Sequence, residues 1–247
     1  MRLIIDIGNT LAKVALFEDS DLLIVTYLPH MTVDALDLFL TQTGFGRPEE
    51  AILSTVRHSD EVLMDYLNTN FRFLLLTADT PLPIKNMYNS PETLGLDRLA
   101  AAVAATYLFP ERNVLIINAG TAITYDLVTS DKAYLGGAIS PGLNMRLMAL
   151  HNFTHKLPLV SLKEESNLVG RTTEESILSG VLNATRAEID GMIGKFNNHY
   201  DQLAVILSGG DVKYFDKSLK NSIFAVPNIV ISGLNQLLAF NFGKKNH

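Results

Sequence analysis

One short device occurs twice along the chain, and the repetition limits what the chain can fold into. Arg2 to Ile7 is an apolar run closed by Gly8-Asn9-Thr10, after which Leu11 to Phe17 resumes with Val14 and Leu16 alternating against Lys13 and Ala15. Two such runs about a tight polar turn predict a β-hairpin. Val114 to Ile117 leads in the same way into Asn118-Ala119-Gly120-Thr121 and then Ala122 to Val128, 112 residues later in a chain of 247. A hairpin opening each half predicts a duplicated architecture, one lobe over residues 1–112 and a second over 113–247.

Between the hairpins the hydrophobic pattern alternates. Asp34 to Leu40 reads as a helix, Ala51 to Val56 and Phe71 to Leu76 as strands, and Glu61 to Leu67 as a helix between them. In the second half Leu178, Leu182, Thr185, Ile189, Met192 and Phe196 recur at helical spacing over Thr173 to Phe196, with Thr172 and Glu175 forming a capping box at the start. Val205 to Leu207 reads as a buried strand running into Ser208-Gly209-Gly210-Asp211. The alternation predicts an α/β fold with a mixed β-sheet covered by helices in each half. No low-complexity linker divides the halves, so two lobes packed about an active-site cleft are expected.

Composition removes several classes of function. Twenty Lys+Arg against 26 Asp+Glu leave a net charge of −6, which argues against a sequence-independent grip on nucleic acid or on an anionic membrane. Any phosphate ligand must then be held by backbone and metal rather than by a basic field. The absence of cysteine excludes disulfides, thiolate metal sites and Cys nucleophiles. The most apolar helical stretch, Leu99 to Phe109, is about half of the ~20 residues a membrane span needs. Asp6 interrupts the first apolar run too early for a signal peptide. A cytoplasmic protein is the expectation.

Asp6-Ile7-Gly8-Asn9-Thr10 places a carboxylate at a strand end beside a glycine and two small polar residues. The glycine permits close backbone approach, neighbouring N–H groups can face phosphate oxygens, and Asp6 can hold a hydrated Mg²⁺ beside them. Gly and Asn are equally favoured in ordinary hairpin turns. The second turn, Asn118 to Thr124, changes the balance, since two phosphate-facing hairpins could grip one nucleotide, with Ser208-Gly209-Gly210-Asp211 accommodating its nucleoside. Farther along, Pro91-Glu92-Thr93-Leu94-Gly95-Leu96-Asp97-Arg98 precedes an Ala-rich helix. Asp97 there could be a plain N-cap or first-turn carboxylate. With Arg98 on the same turn and Gly95 behind it, Asp97 could equally accept a proton from an alcohol while Arg98 holds an anionic group.

Taken in order, the motifs resemble the actin-like ATPase and sugar kinase superfamily and, within it, the type III pantothenate kinases. Asp6 to Thr10, continuing to Lys13, resembles that family's first phosphate motif. Tyr88-Asn89-Ser90-Pro91 followed by Gly95-Leu96-Asp97-Arg98 resembles its pantothenate site, and Asn118 to Thr124 its second phosphate motif. Gly136-Gly137-Ala138-Ile139-Ser140-Pro141-Gly142, Leu157-Pro158 and Gly170-Arg171-Thr172-Thr173 resemble further family segments. The resemblance implies two duplicated ribonuclease H-like lobes and transfer of the ATP γ-phosphate to the primary hydroxyl of pantothenate, the first step of coenzyme A biosynthesis. It implies Asp97 as proton acceptor, with Tyr88, Gly95, Leu96, Asp97 and Arg98 at the substrate. It also implies Asp6, Ile7, Gly8, Asn9, Thr10, Lys13, Gly120 and Thr121 at ATP, and Asp6 and Asn118 at metal. Thr173 matches a substrate-contacting threonine supplied across a homodimer interface. A Lys at the outward position of Lys13 is more commonly solvated.

One departure bears on the cofactors. The family's second phosphate motif usually begins with Asp, which binds an activating K⁺ or NH₄⁺, and here Asn118 stands in its place. The amide oxygen can coordinate the cation but lacks the charge, which predicts a weakened or altered monovalent-cation dependence. A second departure is Thr172, where the family has Asn. Two other readings use the same frame: a kinase for another small hydroxyl substrate, and a non-catalytic transcription accessory protein. The Gly95-to-Arg98 segment disfavours the first, and intact Asp6, Asp97 and Arg98 disfavour the second.

The remaining chemistry-bearing residues form no pattern. The six histidines lack metal spacing, and His151 and His155 are expected in a solvated loop. Ser59 and Ser140 have no local base to activate them. Met145, Met148 and Leu150 are expected in the core, and Lys244-Lys245 in a charged tail.

Overall fold

The computed structural model describes residues 1–8, 10–55, 60–216 and 218–243, so the expectations placed on Asn9, Val56, Ser59 and Lys244-Lys245 lie outside the described residues. The chain forms two compact units, one holding Met1–Tyr107 and the chain from Ile229 onward, the other Leu108–Asn228.

The first unit opens with β1 (Arg2–Ile7), β2 (Ala12–Glu18) and β3 (Asp21–Leu28), followed by α1 (Val33–Gln42), β4 (Glu50–Thr55), α2 (Glu61–Asn70), β5 (Arg72–Leu75), the two-residue β6 (Lys85–Asn86) and α3 (Leu96–Leu108). Its five-stranded sheet has the order β3-β2-β1-β4-β5, antiparallel across β3, β2 and β1 and parallel across β1, β4 and β5. Alternation assigns the faces. Leu3, Ile5, Val14 and Leu16 bury against Leu36 and Phe39 of α1 and Leu63 and Leu67 of α2. Ile4, Asp6 and Lys13 therefore point to the opposite face. Both helices begin where side-chain oxygens take up free backbone donors, Thr32 Oγ1 from Ala35 N at 3.2 Å and Asp60 Oδ1 from Val62 N at 3.0 Å.

The second unit repeats the plan. It comprises β7 (Val114–Ala119), β8 (Ala122–Val128), β9 (Ala133–Pro141), α4 (Leu143–Asn152), α5 (Thr173–Asn197), β10 (Ala204–Ser208) and β11 (Phe224–Ala225). The five strands of this unit take the order β9-β8-β7-β10-β11, with β7, β8 and β9 antiparallel and β7, β10 and β11 parallel, the same arrangement as β3-β2-β1-β4-β5. Leu115, Ile117, Ala119 and Tyr125 pack against Ile177, Leu178, Leu182 and Ile189 of α5. The capping box at the start of α5 is present in shifted form. Thr172 Oγ1 accepts from Glu175 N at 3.2 Å, and Glu175 Oε2 accepts from Arg171 N at 2.7 Å.

Three expectations are corrected. The last helix, α6 (Ile229–Phe242), was assigned to the second lobe but packs on β1, β2 and β4 of the first unit, and the boundary falls at 107/108 rather than at 112/113. α6 also approaches α3 closely: a Cβ at Gly233 would lie 1.8 Å from the Ala100 carbonyl oxygen, so only glycine fits there. Met145 and Met148 are 45% and 52% exposed, because α4 turns Leu143 and Leu147 inward and the methionines outward. His151 lies in the last turn of α4 rather than in a loop, its Nδ1 2.9 Å from the Leu157 carbonyl, while His155 lies beyond the helix.

Candidate active site

In the first unit, strand register builds a polar row. Asp6 at the end of β1 faces Lys13 on β2 and Ser54 on β4, and Lys13 in turn faces Tyr27 on β3. Lys13 is half-buried rather than solvated, with its Nζ 5.9 Å from the centre of the Tyr27 ring. Burial pushes the Asp6 carboxyl up to about 6; the Lys13 charge opposes the rise, Asp97 adds to it, and a hydrogen bond from Ser54 opposes it. The turn that follows is closed by Gly8 N donating to the Leu11 carbonyl at 3.1 Å, with Thr10 exposed. Ser54 was not singled out from sequence. Its one signal was a hydroxyl at the end of an otherwise apolar strand.

Asp97 reaches the same region from α3. The segment enters through a 3₁₀ turn at Pro91–Thr93 and starts the helix at Gly95, whose carbonyl accepts from Arg98 N at 3.1 Å and Leu99 N at 3.3 Å. Asp97 is thus a first-turn carboxylate. Arg98 is only 7% exposed, and its guanidinium sits 5.7 Å from the centre of the Tyr88 ring. One helix start therefore holds a carboxylate, a buried cation and an aromatic face together, with Leu96 partly buried beside them.

The second unit carries the corresponding row. Asn118 at the end of β7 faces Ser208 on β10 and Thr124 on β8. Ser208 is buried, and the buried Thr124 Oγ1 has no hydrogen-bond partner among the described residues. The turn beyond closes through Gly120 N donating to the Ala122 carbonyl at 3.0 Å, leaving Thr121 exposed. Ser208-Gly209-Gly210-Asp211 abuts this turn. Asp211 N donates to the Ala119 carbonyl at 3.0 Å, and burial raises the Asp211 carboxyl against the opposing Lys213 charge.

Thr173, the first residue of α5, lies elsewhere in this unit, on an apolar groove of about 750 Å³ between α4 and α5 lined also by Ala149, Leu150, Phe153, Ile177 and Val181. Phe153 is 89% exposed there, and Leu168 of the preceding loop 81%. Among the described residues no group of three His, Asp or Glu side chains could hold a metal by itself, and no helix is long and apolar enough to cross a membrane.

The family described as type III pantothenate kinase matches residues 2–195. The chain is 45% identical to the type III pantothenate kinase of Christiangramia forsetii, covering 98% of this chain and 99% of that one, and 44% identical to the one from Bacteroides fragilis, covering 99% and 100%. Among solved structures, it is similar to a Campylobacter jejuni protein named for the Baf family of transcriptional activators (TM-score 0.60, 21% identity, covering 97% of this chain and 98% of that one). It is also similar to the Clostridium difficile activator of 2-hydroxyisocaproyl-CoA dehydratase with bound ADPNP (TM-score 0.53, 12% identity, covering 98% and 94%). At these identities the structural matches speak for the fold alone. It is the fold of sugar kinases, as a glucokinase from an Antarctic psychrotroph also shows (TM-score 0.52, 13% identity, covering 97% and 98%).

Proposed function

The chain belongs to the type III pantothenate kinase family, and we propose that its ATP-dependent phosphorylation of pantothenate runs through the two polar rows and the start of α3. The observation that carries this reading is in the first unit: the helix start that lays Arg98 against Tyr88 also brings Asp97 within electrostatic reach of Asp6.

Arg98 would hold the pantothenate carboxylate by charge and fork geometry, with Tyr88, Gly95 and Leu96 shaping the site around it. Asp97 accepts the proton of the primary hydroxyl as the hydroxyl oxygen bonds to the γ-phosphorus and the bond to the β–γ bridging oxygen breaks, leaving ADP. Its place in the first turn of a helix sets the carboxylate at the positive end of the helix dipole. That suits a loose transition state in which the proton leaves late. Gly8, Ile7, Asn9 and Thr10 with Lys13, and Gly120 with Thr121, are the proposed phosphate contacts.

The donor set fits Mg²⁺. Asp6 is a largely buried carboxylate opposed by a single Lys and flanked by another carboxylate, and Mg²⁺ is commonly bound by one carboxylate plus phosphate and water oxygens. When bound, Mg²⁺ neutralises charge on the β- and γ-phosphates. For a monovalent cation the strand row of the second unit offers neutral oxygens, Asn118 together with Thr124 Oγ1, which has no hydrogen-bond partner among the described residues. This supports a weak or altered requirement for K⁺ or NH₄⁺. We further propose a cytoplasmic homodimer in which a second copy covers the apolar groove and receives Thr173 at its substrate site. The exposure of Phe153 and Leu168 supports that face.

A coupled assay with ATP and pantothenate tests the reading. Phosphopantothenate from the wild type and a rate at least a hundredfold lower from Asp97→Ala are expected. An Asp97→Ala rate equal to wild type would remove Asp97 from its role.

A further inference from the structure

A chain of side-chain and backbone contacts in the second unit runs from the middle of α5 to the Gly120-Thr121 turn, and Arg146 is its central link. From α4, Arg146 Nη2 donates to Glu188 Oε2 of α5 at 2.6 Å and to Ser140 Oγ at 2.8 Å, while Nε donates to the Pro141 carbonyl at 2.8 Å. The far side of Glu188 is held as well, because the buried Tyr125 hydroxyl donates to Oε1 at 3.1 Å. The guanidinium thus clasps the end of β9 from one direction and is fixed in direction by a carboxylate from the other.

The end of β9 is what supports the turn. Pro141 pairs with Ala122, the residue after the turn, and Gly142 N donates to the Thr121 carbonyl at 3.1 Å. The contact is too close for any side chain: a Cβ on Gly142 would lie 2.0 Å from the Gly120 carbonyl oxygen and 2.5 Å from that of Thr121. Both turn carbonyls are therefore seated on Gly142, and Arg146 N donates to the Gly142 carbonyl at 3.1 Å as the first turn of α4 forms. Backbone and side chain of one residue converge on the three residues beneath the turn.

We propose that Arg146, oriented by Glu188, is a positioning residue for nucleotide: it holds the β9 end so that the Gly120-Thr121 turn is already in its phosphate-binding shape. The inference rests on the kinase reading only in taking that turn as a phosphate contact. A preformed turn lowers the ordering cost of binding, so loosening it weakens nucleotide and leaves the pantothenate site, built on α3 in the other unit, as it was.

The test is calorimetric binding of a non-hydrolysable ATP analogue with Mg²⁺ to the wild type, Arg146→Met, Arg146→Lys and Glu188→Gln, alongside KM for both substrates, thermal melting and solution mass. We expect Kd to rise about tenfold for Arg146→Met, with Arg146→Lys intermediate and Glu188→Gln about threefold weaker. KM for ATP should follow Kd, while KM for pantothenate stays within about twofold. Nucleotide affinities within twofold of wild type in Arg146→Met, or in Glu188→Gln should the former not fold, overturn the proposal. So does a rise confined to the pantothenate KM with loss of dimer mass, which would assign Arg146 to the groove it also borders. A wild type that binds the analogue but yields no phosphopantothenate counts against the kinase reading alone.

Discussion

The carboxylate of Asp97 folds back over Gly95, so closely that a Cβ at Gly95 would lie 2.6 Å from Asp97 Oδ1. The obstructing atom is the terminal oxygen of a rotatable side chain, not backbone. Gly95→Ala should therefore be accommodated by moving the carboxylate while α3 still forms. We expect a kcat loss of about ten- to a hundredfold, within the usual contribution of a positioned base, and a melting temperature within about 2 °C of wild type. Steady-state kinetics with thermal melts check this. A fully active Gly95→Ala enzyme would show that Asp97 needs no such position.

Asp6 makes the unliganded protein sensitive to pH in an unusual direction for a carboxylate. Its pKa rises on folding from 3.8 to about 6, so the folded state favours the protonated form. That contribution to stability is complete below the unfolded value and is lost as pH rises through about 6, amounting to at most about 3 kcal/mol. Asp6→Asn should accordingly melt higher than wild type near neutral pH and differ least near pH 4, while binding Mg²⁺-nucleotide more weakly. A variant-to-wild-type difference that stays constant across this range would disprove the assignment.

The duplicated plan was legible because its signals are local: alternation at period two, glycine and small polar residues in the turns, and capping by Thr172. The polar residues at each turn were legible for the same reason. Ser54 was not, since its relation to Asp6 is a register between parallel strands 48 residues apart, and no neighbour in the chain announces it. Arg146 and Glu188 are likewise 42 residues apart. The strand β9 was hidden by Gly136 and Gly137, which look like a turn. In fact a Cβ at Gly137 would lie 1.6 Å from the Tyr125 carbonyl oxygen, so glycine there serves strand pairing. Helix α6 gave no helical period because Ile229, Val230, Ile231, Leu234, Leu237 and Leu238 are all buried. A helix covered on most sides has no polar stripe to read.

The two glycines after β10 should behave differently. Gly209 has φ of +101°, and a Cβ there would lie 2.0 Å from the Ala119 carbonyl oxygen, whereas Gly210 has nothing within 4 Å. Gly209→Ala combines a left-handed backbone with a backbone clash and should cost roughly 3 kcal/mol or more. Gly210→Ala should change stability by less than about 1 kcal/mol. Denaturant unfolding of both variants checks the contrast, and equal midpoints would mean that the β10 loop does not hold this close approach in solution.

Asn118 offers the sharpest test of the cation site, because one substitution restores the missing charge without changing size. Its amide stands in register with Thr124, whose buried Oγ1 has no partner among the described residues, and with the buried Ser208. Neutral oxygens can coordinate K⁺, but the affinity of such a site rises with the number of charged ligands. In wild type, activity should therefore respond weakly to K⁺ or NH₄⁺ over the range that saturates a carboxylate site. Asn118→Asp should lower the half-activating K⁺ concentration about tenfold or more and make the rate without added cation fall, because the new carboxylate is then left in a partly buried row with no counter-charge. Titrating KCl against a constant ionic strength of a bulky ammonium salt separates this from general screening. Superimposable titrations for the two proteins would show that residue 118 does not set the cation response.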